Sequence, residues 1–226
     1  MCIYLRKLEI KNLTTKRVCG TERIGSIYIS GCDEFNHKFK KGICFLAGEI
    51  YEGGWSVADY LAKEAEGDSG KTEIFWNGEL CSPHSVRERT YYVTDNYKNY
   101  ERNKTSVEKN LKEIFKQKHL SIDYEMFVSM CELEKMGTFN RNINRTGHAF
   151  WFYSSILGLA LGKKIITFPW ISGQEMEIQS YRFNLLAKVS SELDCVIVVP
   201  VETAGIMNKN NLPENSDWFE VINMRG

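Results

Sequence analysis

Residues 43–56 read ICFLAGEIYEGGWS, and their pattern decides the fold. Ile43 to Ala47 is a short apolar run, as expected of a strand buried on both faces. Gly48-Glu-Ile-Tyr-Glu-Gly53-Gly54 is a glycine-rich loop. From Trp55 to Ala65 the apolar residues fall at helical spacing: Val57, Leu61 and Ala65, with Ala58 and Ala62 beside them. Strand, glycine-rich loop and helix in that order form the context of the phosphate-binding motif G-x-x-x-x-G-K-[ST]. There, backbone N–H groups and a helix N-terminus cradle phosphate. Gly48 and Gly53 stand at the right separation. The lysine position holds Gly54, and the hydroxyl position holds Trp55, followed by Ser56. Taken alone, such a loop is more often a plain turn.

A second match, Gly70-Lys71-Thr72, lies downstream. Its first glycine would fall at Ala65, a helix precedes it and a strand follows, so no helix N-terminus would face a phosphate there.

Working outward, Leu5 to Leu13 alternates apolar and polar residues and reads as a half-buried strand. Ser26 to Ile29 is a second strand candidate, and Phe39 to Gly42 is a turn. Thr72 to Trp76 is a strand, Asn77-Gly78 a hairpin turn, and Arg89 to Thr94 another strand. Ser106 to Lys118 and Tyr124 to Met136 have helical periodicity and abundant charge. Thr146 to Leu161 is an apolar helix. Ile165 to Phe168 and Val196 to Val199 are buried strands flanking a helix over Glu175 to Leu193. Trp218 to Met224 closes the chain with strand-like residues. Short apolar strands alternating with helices predict a parallel α/β core.

Bulk properties narrow the function. The 226 residues carry 29 basic and 29 acidic side chains, a formal net charge of zero, so nucleic-acid binding through bulk charge is not expected. No apolar signal region follows the N-terminus. The most apolar stretch, Ala149 to Leu161, is shorter than the ~20 residues a spanning helix needs. A soluble, intracellular protein is expected. The seven cysteines are scattered and odd in number, which suits reduced thiols. His37, His84, His119 and His148 stand apart in sequence, so no metal site is expected.

The order of segments resembles the ATP-binding cassette (ABC) domain of bacterial transporters. Lys40-Lys-Gly42-Ile-Cys-Phe-Leu-Ala-Gly48-Glu49 is similar to that family's approach to its phosphate loop. Ile74-Phe-Trp-Asn-Gly78 is similar to its early hairpin. Tyr91-Tyr-Val-Thr-Asp95 places Asp95 at the Q-loop glutamine. Thr105-Ser-Val-Glu-Lys-Asn-Leu111 is similar to the opening of its helical subdomain. Arg145-Thr146-Gly147-His148-Ala149 occupies the signature position, with Thr146 and Gly147 as close matches. Lys164 to Ser172 lies on the Walker B stretch, with Pro169 at the magnesium-associated aspartate and Trp170 at the catalytic glutamate. Val196 to Glu202 lies on the switch strand, with Val201 at the switch histidine.

The resemblance implies one P-loop NTPase-like (RecA-like) domain over 1–226. Its α/β lobe, a parallel core with an antiparallel β part, would comprise 1–94 and 162–226, and an α-helical subdomain 95–161. It also implies a nucleotide pocket at Gly48, Gly53, Gly54, Trp55, Ser56, Asp95, Thr146, Gly147, Pro169, Trp170 and Val201, which these residues would leave vestigial. Hydrolysis requires a phosphate-binding lysine, a magnesium site and a carboxylate acting on water, and glycine, proline and tryptophan supply none of them. No catalytic residue, cofactor or metal is therefore expected, with weak ATP binding left open.

Implied partners are a membrane permease, a second cassette subunit or another copy of the chain, with residues 95–137 as the contact. The location would be cytoplasmic, peripheral to the inner face of the membrane through the permease. Trp55 is a candidate to fill the volume of a nucleotide. Two other functions compete. One is a soluble regulatory or interaction protein outside transport. The other is an enzyme with new chemistry among Glu49, Glu52, Asp95 and His148.

Overall fold

A computed structural model describes residues 7–19, 28–62, 66–67, 70–93, 104–117 and 122–224. In chain order the strands are β1 (Leu8–Cys19), β2 (Tyr28–Phe39), β3 (Gly42–Ala47), β4 (Glu66–Gly67), β5 (Glu73–Trp76), β6 (Glu79–Cys81), β7 (Thr90–Tyr92), β8 (Ile165–Thr167), β9 (Val196–Val201) and β10 (Phe219–Asn223). The helices are α1 (Gly54–Ala62), α2 (Pro83–Arg89), α3 (Val107–Gln117), α4 (Tyr124–Met130), α5 (Phe150–Ala160), α6 (Gly173–Glu192) and α7 (Thr203–Met207).

The strands form two sheets. One is parallel throughout, in the order β10-β3-β9-β8-β7. The other is antiparallel, in the order β2-β1-β5-β6, with β4 also paired to β1. The expected parallel α/β core with an antiparallel β part is therefore present.

The apolar runs explain why the parallel sheet is central. All six residues of β3 and of β9 are buried. Their side chains alternate between two cores, as a period of two requires. Cys44, Leu46, Val196 and Val198 face a core shared with α1 and the antiparallel sheet. Ile43, Phe45, Ile197, Val199 and Val201 face a second core shared with α5, α6 and the helices that precede them.

The antiparallel sheet is positioned by a bulge. Leu8 and Ile10 are buried, but beyond them the buried residues are Leu13 and Thr15. The register of β1 on β2 shifts between Ile10 and Leu13, where Asn12 takes a left-handed φ of 54°. One extra residue moves the inward face from even to odd positions. That turns Arg17 inward, where it pairs with Asp59 of α1. Asp59 has no solvent exposure. The pair ties the antiparallel sheet to the helix that follows the glycine-rich loop.

Several elements differ from the sequence expectation. The second strand extends to Phe39 because its exposed polar residues alternate with half-buried ones, and this edge strand faces solvent on one side. Helix α2 has no counterpart in the apolar pattern. Ser82 caps it by accepting from Ser85 N–H at 3.2 Å, and Pro83 occupies its first turn. The helix expected to Met136 stops at Met130, because Glu132 is left-handed with φ 51°. The helix expected from Thr146 begins at Phe150, because Gly147 has φ 58°. Among the described residues no helix is long and apolar enough to cross a membrane.

Removing one partner of a buried ion pair strands the other charge, at a cost of about 3 kcal/mol or more. Arg17→Met is expected to destabilise the chain by about that amount in denaturant unfolding. The double variant Arg17→Met, Asp59→Leu should recover most of the loss, since neither charge then remains.

Candidate functional site

The candidate site lies at the carboxyl ends of the parallel strands, where α/β sheets bind ligands. Four connections meet there. The Gly48–Gly53 loop leaves β3 and enters α1. Gly48 N–H donates to the carbonyl of Val201 at the end of β9, at 2.9 Å. The segment after β8 brings Trp170 over the loop, and its indole Nε1–H donates to the Gly48 carbonyl at 3.1 Å. Tyr92, at the end of β7, accepts from Trp55 Nε1–H at 3.3 Å. Of the sequence-predicted residues, Gly48, Gly53, Gly54, Trp55, Ser56, Pro169, Trp170 and Val201 thus converge on one end of the sheet.

Two glycines have steric reasons to be glycine. Gly53 has φ +89°, and a Cβ there would stand 2.5 Å from the Gly31 carbonyl oxygen and 2.7 Å from Cys32 Cβ. Gly54 packs on β3, where a Cβ would meet Leu46 Cβ and its carbonyl oxygen at 3.2 Å. The lysine of a working phosphate loop would have to enter at this second position.

Inside the loop stands a carboxylate. Glu52 Oε2 accepts from Glu49 N–H at 2.6 Å, while Glu52 N–H donates to the Glu49 carbonyl at 2.9 Å. The same oxygen would lie 2.9 Å from a Cβ on Gly48. The Glu49 N–H at the start of the loop is therefore bonded to the chain's own anion, a short charge-assisted bond. Acidic groups are favoured beside a helix N-terminus. Ser56 turns its hydroxyl back onto the Gly53 carbonyl at 2.8 Å.

The Trp55 ring lies under the Arg17 guanidinium, 4.4 Å from the ring centroid, a cation–π contact. Arg17 thus sits on Trp55 and pairs with Asp59 one helical turn further on. Both contacts engage its guanidinium on α1.

The signature-position residues make their recorded contacts elsewhere. Thr146 is buried, and its hydroxyl donates to the Ile143 carbonyl at 2.6 Å. Gly147 and His148 are exposed at the start of α5. His148 Nδ1 lies 3.6 Å from Glu175 Oε1, and its carbonyl accepts from the Gln179 side chain. The partner of His148 is therefore on α6, not among the loop carboxylates. Asp95 lies outside the described residues.

Sequence reasoning missed Arg17, Asp59, Tyr92 and Glu202, whose Oε2 accepts from Gly173 N–H at 2.6 Å at the start of α6. Asp59, an acid inside an otherwise apolar helix, was the available signal. Restoring the motif with Gly54→Lys and Trp55→Ser is expected to lower the thermal midpoint. The lysine Cβ presses on Leu46, and the serine removes the contacts to Arg17 and Tyr92. A double variant at least as stable as the parent would contradict this packing.

No protein-family model matches the sequence, and no curated protein matches it. Solved structures do. The chain is similar to a nucleotide-free ATP-binding cassette from an ABC transporter, with a TM-score of 0.57 at 10% identity, covering 96% of this chain and 88% of that one. It is similar to a dimeric bacterial ABC transporter cassette, with a TM-score of 0.55 at 13% identity, covering 96% and 94%. It is also similar to cbiO1 from Clostridium perfringens, part of the ABC transporter complex cbiONQ, with a TM-score of 0.53 at 12% identity, covering 85% and 78%. Along nearly its whole length the chain has the fold of an ABC transporter ATP-binding cassette.

Proposed function

We propose that this chain is a cassette that does not hydrolyse ATP and acts as a scaffold or regulatory half beside a permease or an intact cassette. The observation that carries the reading is the Glu52 carboxylate on the Glu49 N–H inside the loop. It places a carboxylate inside the loop, beside Gly48. Phosphate entering there meets repulsion from Glu52 and Glu49, and no lysine at Gly54 offsets it. Pro169 and Trp170 supply neither a magnesium ligand nor a carboxylate to act on water, and the Trp170 indole is already bonded to Gly48. The chain nonetheless keeps the fold of a cassette.

Two features support a partner. The similar structures include a dimeric cassette and a component of a transporter complex. Largely within the segment assigned to the permease contact, a cleft of about 370 Å³ opens between α3, α4 and the turns that follow, lined by Glu108, Lys112, Tyr124, Glu125, Glu134 and Met136. Met126 stands 57% exposed on α4. Such an apolar side chain with charged neighbours suits a protein interface. On this reading the chain sits at the inner face of the membrane through its partner.

Purified protein is expected to release no phosphate from MgATP above a matched blank, and titration calorimetry should show no low-micromolar MgATP affinity. Sustained turnover that survives removal of contaminating ATPases would overturn the proposal. In pull-downs from native membranes the chain should recover a multi-span permease or an active cassette. Met126→Glu should reduce that recovery without altering the unfolding midpoint. Recovery of neither partner would favour a soluble regulatory role outside transport.

A further inference from the structure

We infer that His37, Cys44 and Glu220 form a binding site for one zinc ion. Each residue comes from a different strand, and the two sheets contribute jointly. His37 is on β2 of the antiparallel sheet. Cys44 and Glu220 are on β3 and β10 of the parallel sheet, where they are register partners and so lie side by side on one face. One ligand atom from each, the imidazole nitrogen, the thiol sulfur and a carboxylate oxygen, lies within 4.8 Å of the other two. The sequence separations are 7 and 176 residues, which is why no spacing motif announces the group.

The geometry suits tetrahedral zinc. Zinc bonds of about 2.0–2.2 Å to nitrogen and oxygen imply an N···O edge of about 3.3–3.5 Å. His37 Nε2 and Glu220 Oε1 stand 3.4 Å apart. The corresponding edges to sulfur are about 3.6 Å, so Cys44 Sγ needs to approach by little more than about 1 Å. A side-chain rotation covers that distance.

An ion pair alone explains the group poorly. His37 Nε2 is shut off from solvent yet makes no hydrogen bond, the state of a ligand atom lacking its partner. Its ring is held in place by Phe39, edge-on with centroids 4.8 Å apart. Glu220 Oε1 is itself oriented by the Lys40 backbone N–H at 3.1 Å, as metal-binding carboxylates commonly are. Cys44 is fully buried beside it, and burial together with the nearby carboxylate pushes its thiol well above the ordinary range. Zinc would displace that proton and pair a dication with thiolate and carboxylate.

Access is available. His37 and Glu220 line a cleft of about 460 Å³ that opens to solvent beside Asn36 and Lys38. An ion approaching through it meets His37 and Glu220 first; Cys44 is buried and does not line the cleft. Thiolate and imidazole together favour zinc over magnesium or calcium.

The test uses the full chain stripped of metal with a chelator and titrated with Zn²⁺ and then with Co²⁺. One zinc per chain at micromolar or tighter affinity is expected, with a zinc-dependent rise in thermal midpoint. Cobalt should give a near-ultraviolet thiolate-to-metal absorption and the visible bands of a tetrahedral ion. Cys44→Ala should abolish that absorption. His37→Gln and Glu220→Gln, which leave the buried core untouched, should each weaken zinc binding by roughly tenfold or more. Circular dichroism checks that each metal-free variant is folded. Absence of stoichiometric zinc binding by the parent, or binding that all three variants retain unchanged, would overturn the site.

Discussion

The structure depends on β3 being covered on both sides. Six consecutive buried residues leave no face for water, so each side must be matched by a core of its own. One side takes Cys44 and Leu46 against α1 and the antiparallel sheet; the other takes Ile43 and Phe45 against the helices. Parallel strands with no polar face are stable only when both faces are covered, so the sheets and helices become one architecture rather than two units. The loop after β3 inherits its position from this. It cannot drift, because Gly48 is bonded to Val201 and Trp170.

In the proposed function, the candidate site keeps the backbone of an anion-binding loop with its electrostatics inverted. Where a phosphate loop offers N–H groups and a lysine, this one offers Glu49 and Glu52 and no lysine. Arg17, the cation packed on α1, is held by Asp59 and Trp55. Trp170 acts structurally, as a hydrogen-bond donor to the loop carbonyl. Glu52, Trp55, Ser56 and Trp170 each bond to the chain itself.

Much of this was legible in the sequence because the signals are local. Apolar runs such as Ile43 to Ala47 and Val196 to Val199 mark doubly buried strands whatever surrounds them. Asn77-Gly78 fixed its hairpin through left-handed angles at both residues, 53° and 85°. The breaks at Glu132 and Gly147 were not legible, because single left-handed residues interrupt a helical pattern without altering its periodicity. The bulge at Asn12 was hidden too, and with it the inward turn of Arg17, since one inserted residue reverses the facing of the rest of the strand. At the site, positions at strand ends were found from motif order, but the roles of Tyr92, Asp59 and Arg17 depend on contacts across elements. The grouping of His37, Cys44 and Glu220 depends on how two sheets meet, which no single segment encodes.

The Glu52 turn has a consequence for regulation. Its negative charge is covalently part of the chain, so occupancy of that N–H group does not depend on the concentration of any solute. A loop that waits for phosphate changes state with the energy supply of the cell. In the proposed function this loop takes no nucleotide, and its conformation carries no record of whether fuel is abundant or spent.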